Sequence, residues 1–301
     1  MKTKKSWRRF FFAQSALLLV WSCSSPQVIL YRPPETVVEF YKTNPPLQIN
    51  VYPGPGKAVG AVIMIHGGGW MMGGPDIPLY QDWESRFNDA DLRVFSIEHR
   101  LAPGARGRDQ VEDCVDAVHF IQTNAQKYGF PPDKISLMGF SSGGHLAVMT
   151  GLILSRRPLR RPSPIRSVIS FYAPLDPAWL LTHGNDNVKH LLLQYLPPVD
   201  FPEGTEEDQK ENFLRRALMD ISPIDNLHLY APPLFIIHGE SDSLIPYTQG
   251  SVFAQRAMEL GLKNVVFLPV PGAEHNFNAS RNRRIREVEQ KAIEFAAQSM
   301  R

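Results

Sequence analysis

The chain has 301 residues, 43% of them hydrophobic and 21% charged, the composition of a globular protein long enough for one large α/β domain. Its net charge of +2 comes from the N-terminus, where Lys2, Lys4, Lys5, Arg8 and Arg9 meet no acid; the remainder is slightly acidic, which argues against a nucleic-acid partner. Two cysteines, Cys23 and Cys114, exclude a disulfide framework.

Met1 to Arg9 is basic, and Phe10 to Trp21 is an apolar run of about a dozen residues. A membrane span needs roughly 20, so the run has the length of a secretory signal. Val20-Trp21-Ser22-Cys23 resembles a bacterial lipobox, which implies cleavage before Cys23 and lipidation of its sulfur. Arg8-Arg9-Phe10 partly resembles a twin-arginine signal, and an uncleaved N-terminal anchor is the alternative. Each version places the body outside the cytoplasm or at a membrane surface, with a membrane tether through the N-terminus. The expected division is a signal peptide over 1–22, a proline-rich tether over 23–46 and a folded domain over 47–301.

Leu47 to Tyr52 alternates as a strand does, and Pro53-Gly54-Pro55-Gly56 is a turn. Ala61 to Ile65 is wholly apolar, as in the middle of a parallel sheet. It ends in His66-Gly67-Gly68-Gly69-Trp70, where three glycines let backbone N–H groups face an open crevice, the arrangement that stabilises an oxyanion. His66 is expected to hold this loop rather than do chemistry. Pro78 to Ala90 reads as a helix, Arg93 to Ile97 as a strand and Gln110 to Tyr128 as an amphipathic helix with Cys114 on its apolar stripe.

Asp133 to Met138 reads as a buried strand and Leu146 to Leu154 as a helix of small and apolar residues. Between them lies Gly139-Phe140-Ser141-Ser142-Gly143-Gly144-His145. A serine at a strand-to-helix turn, with glycine two residues away on each side, is the nucleophile-elbow pattern. The following helix directs its positive end at the hydroxyl. Arg156 to Arg161 is a basic surface loop and Arg166 to Tyr172 another strand. Asp176 to Asp220 has little sheet character and is where a cap could be inserted. Leu234 to Ile237 is the next strand, ending in His238-Gly239-Glu240-Ser241-Asp242. Thr248 to Leu260 is a helix, Val265 to Val270 the last strand and Ile285 to Met300 the closing helix.

Strands alternate with helices, and each polar cluster falls at a strand's C-terminal end, where an open parallel sheet forms its crevice. A serine hydroxyl needs a neighbouring base, and a histidine fits at neutral pH. Of nine histidines, His275 follows the last strand in a Gly-x-x-His turn, whereas His145 sits in the helix behind the elbow. The acid that orients the histidine is Asp242, with Asp176 as the rival because it too follows a strand. The order serine, acid, histidine is that of the α/β-hydrolase sheet.

Taken together, His66 to Trp70, Glu98 to Pro103, Gly139 to His145, His238 to Pro246 and Gly272 to Phe277 resemble an α/β-hydrolase esterase of the hormone-sensitive-lipase-like and acetyl-esterase group. The resemblance implies a mostly parallel sheet with helices on both faces, and Ser141, Asp242 and His275 as nucleophile, acid and base. It implies oxyanion donors at Gly68, Gly69 and Ser142 and no metal or organic cofactor. The expected substrate is a small-molecule ester of short to medium chain, hydrolysed through an acyl-enzyme. Trp70 and Phe140 are expected to shape its pocket. Departures from the group's pattern are Phe140 in place of Asp, Ser142 in place of Ala and His99 in place of Tyr; His238 to Pro246 is closer to dienelactone hydrolases and prolyl peptidases. The alternatives on the same machinery are an arylformamidase or amidase, a peptidase, and an acetyl-xylan or feruloyl esterase. A surface-tethered binding protein is the non-enzymatic one.

Overall fold

A computed structural model describes residues 32–80, 82–156, 163–196 and 204–301. The expected signal peptide, Cys23 and most of the basic loop at 156–161 lie outside them.

Eight strands form one sheet: β1 (Val37–Thr43), β2 (Pro46–Val51), β3 (Gly60–Ile65), β4 (Leu92–Ile97), β5 (Ile135–Phe140), β6 (Ile165–Phe171), β7 (Leu234–Gly239) and β8 (Val265–Val270). Their spatial order is β1-β2-β4-β3-β5-β6-β7-β8. The β1–β2 and β2–β4 pairs are antiparallel and the other five parallel. β3, β5 and β7 are buried along their whole length, which is why they read as unbroken apolar runs. β1 corrects one boundary: residues 37–43, assigned to the tether, pair with β2 as the edge strand. Its half-exposed pattern gives a weak sequence signal.

The helices are α1 (Trp83–Asn88), α2 (Arg108–Thr123), α3 (Ala125–Tyr128), α4 (Ser142–Ser155), α5 (Pro177–His183), α6 (Asp186–Tyr195), α7 (Glu207–Met219), α8 (Thr248–Glu259) and α9 (Arg283–Ser299). Alternate residues of the central strands enter opposite cores. Ile63, Ile65 and Leu137 pack with α2, α4 and α8; Val62, Met64 and Met138 pack with α1 and α9. α4 is buried on nearly every side, so its sequence lacks an amphipathic stripe. The expected helices at 78–90 and 110–128 each divide: the first into a short 3₁₀ turn and α1, the second into α2 and α3 at Asn124. The described residues of the 176–220 stretch fold as α5, α6 and α7 rather than as sheet.

Candidate active site

Ser141 is the single residue between β5 and α4, at φ 52° and ψ −123°. Such a backbone is strained for a side-chain-bearing residue, at a cost of order 1–3 kcal/mol. Its amide donates to the Phe171 carbonyl and its carbonyl accepts from His145 N–H, at 2.9 and 3.1 Å. The flanking glycines have a direct steric cause. A Cβ on Gly139 would stand 2.1 Å from the Gly143 carbonyl oxygen, and one on Gly143 2.2 Å from that of Ile65. Only glycine lets α4 press against β5 and β3 closely enough to make this turn.

Asp242 follows β7 and His275 follows β8, neighbouring parallel strands. Asp242 Oδ1 accepts from the amides of Leu244 and Ile245 at 3.0 and 2.8 Å. Its Oδ2 stands 2.8 Å from His275 Nδ1 and 3.4 Å from His238 Nε2. Burial by itself would raise the carboxyl pKa; the hydrogen bonds from His238 and His275, the His275 charge and the Ile245 amide outweigh it and hold Asp242 at about 2. An ionised carboxylate on Nδ1 fixes the imidazole tautomer and leaves Nε2 free to accept. Nε2 lies 3.0 Å from Ser141 Oγ. The rival acid is elsewhere: Asp176 caps α5, accepting from Trp179 N–H at 2.9 Å. His145 is also excluded as the base, since Trp70 Nε1–H points at its Nδ1 (3.4 Å) and its Nε2 donates to the Ile221 carbonyl at 2.6 Å.

The glycine loop follows β3. His66 is fully buried, its Nδ1–H donates to the Gly67 carbonyl at 2.9 Å, and its ring stacks on His99 at 4.2 Å. Burial lowers both imidazole pKa values, so this stacked pair is uncharged near neutrality. Gly68 and Gly69 have φ of 121° and 60°, and a Cβ on Gly68 would collide with the Met72 carbonyl at 2.1 Å. The N–H groups of Gly68 and Gly69 donate to no backbone carbonyl among the described residues. That of Ser142 opens α4, where the first amides have no helical partner.

Ser141, His275 and the glycine loop border a cavity of about 640 Å³, whose other walls include Met72, Ile77, Leu79, Leu191 and Leu244. Trp70 is not among the lining residues, which corrects its expected role. At φ 62° its side chain turns into the core, stacks on Tyr195 at 4.5 Å and is 2% exposed. Phe140 does border the cavity, but its ring is buried in an aromatic cluster, stacked on Phe171 at 5.0 Å. The wall residues Leu191 and Leu244 escaped sequence reasoning because isolated leucines carry no motif. Tyr172, at φ 39° and in edge-on contact with His275 (ring centroids 4.8 Å apart), was also missed.

A family model, BD-FAE, matches residues 47–257. The chain belongs to the BD-FAE family. The match runs from β2 through β7 and includes the glycine loop, Ser141 and Asp242; β8 and His275 lie beyond its end. Among curated relatives, this BD-FAE chain is 26% identical to Esterase LipQ of Mycobacterium tuberculosis over 80% of its own length and 56% of that protein's. It spans about half the length of the first curated relatives it matches. In three dimensions it is similar to a Pyrobaculum calidifontis esterase (TM-score 0.71, 23% identity, 88% of this chain and 84% of that one). It is also similar to the propionate-bound esterase Est2 of Thermogutta terrifontis (TM-score 0.66, 23% identity, 87% and 94%). The fold is that of the α/β-hydrolases.

Proposed function

We propose that this chain is a serine carboxylesterase that hydrolyses short- to medium-chain esters through an acyl-enzyme. One observation carries the reading: Ser141, His275 and Asp242 are joined in series at 3.0 and 2.8 Å beside a largely apolar cavity. Ser141 Oγ attacks the ester carbonyl as His275 Nε2 takes its proton, and Asp242 stabilises the imidazolium. The carbonyl oxygen gains a negative charge, which the N–H groups of Gly68, Gly69 and Ser142 stabilise by donating hydrogen bonds to it. His275 gives the proton to the departing alcohol. It then activates a water molecule, which releases the acid and restores Ser141.

The esterase relatives support this reading, as does the propionate-bound structural neighbour. The apolar walls favour a simple ester over an acetylated sugar, whose hydroxyls would need polar partners. Purified protein should hydrolyse p-nitrophenyl acetate and butyrate faster than the palmitate, and Ser141→Ala should abolish it. Turnover that survives in Ser141→Ala, or none on any ester, overturns the proposal. On the pattern of residues 1–23 we extend the reading to an exported protein held at the cell envelope through Cys23. Cys23→Ser should then release it from the membrane fraction; equal partitioning of both forms rejects that anchor.

A further inference from the structure

We propose that Leu191 is the residue that limits the length of the apolar chain this site accepts, and that removing its side chain converts a short-chain profile into a longer one. The proposal rests on the esterase reading above. Leu191 comes from α6, outside the sheet, yet its side chain reaches the glycine loop. A Cβ placed on Gly69 would stand 2.9 Å from Leu191 Cδ2 and 3.1 Å from Cδ1. The isobutyl group therefore fills the space immediately over one of the two loop glycines assigned to the oxyanion, and it borders the same cavity as Ser141. A substrate with its carbonyl oxygen at that loop must send one of its two substituents past Leu191.

The helix that carries it is held at both ends, so the side chain forms a wall. At the N-terminal end Asn185 caps α6, accepting from Val188 N–H at 3.0 Å, while its Nδ2–H donates to the Ser243 carbonyl at 3.0 Å, next to Asp242. At the C-terminal end the Tyr195 hydroxyl donates to the Gly107 carbonyl at 3.0 Å and its ring stacks on Trp70. Val188, Leu192 and Tyr195 are fully buried between these ties. α6 thus spans from the acid loop to the glycine loop with Leu191 at the crossing. Leucine to alanine removes three carbons from this position without touching a hydrogen bond. Each substrate methylene that enters the vacated space should raise kcat/KM roughly fourfold.

The test compares wild type, Leu191→Ala and Leu191→Phe on two series: p-nitrophenyl esters from acetate to decanoate, and alkyl acetates from methyl to octyl. Leu193→Ala is the control, because Leu193 is exposed on the same helix. Leu191→Ala should raise kcat/KM for six- to eight-carbon chains, relative to the two-carbon member, about tenfold or more in one series. Leu191→Phe should lower the same ratio, and Leu193→Ala should leave it unchanged. The series that responds identifies the substituent lying along α6. If Leu191→Ala is too unstable to assay, Leu191→Val should shift the ratio in the same direction by a few fold. A wild-type protein without Ser141-dependent turnover overturns both readings. An active wild type whose profile is unmoved in both series by the Leu191 variants, or moved equally by Leu193→Ala, overturns this proposal alone.

Discussion

Ser141 and Asp242 stand at the ends of strands paired on both sides, whereas Leu191 stands on a ten-residue helix held by the side chains of its own flanks. In the first region position is set by backbone hydrogen bonds and by glycines that admit no Cβ. In the second it is set by packing and a few polar ties. The difference separates two tasks. Chemistry tolerates little displacement, and its groups follow strands of the sheet directly: Ser141 and Asp242 after strands paired on both sides, His275 after β8, which pairs with β7. A wall that selects among apolar chains needs only to fill space, and can be altered without disturbing the reacting groups.

Substitutions can break that comparison. The largest effect is expected from Ser141→Ala, which should lower kcat on the order of 10⁶-fold. Asp242→Asn should lower it roughly 10⁴-fold by releasing the imidazole tautomer. A loss below tenfold in steady-state assays would mean that the carboxylate does not orient His275.

Acid should disturb the helix behind the nucleophile and the acid loop in separate windows. His145, buried between Trp70 and the Ile221 carbonyl, is held at about 4 by burial against an ordinary value of 6.5. Its neutral form contributes stability that is full above pH 6.5 and is lost as pH falls towards 4, about 3 kcal/mol in all. Asp242 has the same sign at lower pH: held at about 2 against 3.8, it contributes about 2 kcal/mol above pH 4, lost as pH falls towards 2. Urea denaturation across pH 2–8 should show the upper slope flatten in His145→Asn and the lower slope flatten in Asp242→Asn. A single slope unaffected by either variant would reject the assignment. The smallest effect belongs to Asp176→Ala, which loses a helix cap worth about 1 kcal/mol in melting experiments and should leave kcat within about twofold of wild type.

The buried strands and their ends were readable because the two properties that define them are written locally. β3, β5 and β7 are apolar on both faces, and the functional residues follow them directly in sequence. The choice between Asp242 and Asp176 was not local, since both follow strands; the deciding fact is which one reaches His275. β1 was missed because an edge strand with one half-wet face resembles a tether. Trp70 was misassigned because a positive φ, invisible in composition, turns its ring inward. Leu191 was missed because α6 meets the glycine loop from a segment more than a hundred positions away.

Ser141 and His275 are 134 residues apart. On a ribosome synthesising this chain, the nucleophile is therefore complete long before its base exists. Until β8 emerges and takes its place beside β7, the hydroxyl has no partner to remove its proton, and the nascent protein is chemically silent. On the proposed reading, hydrolytic activity should appear only once β8 and the turn carrying His275 are in place, which makes turnover a reporter of that late step of folding.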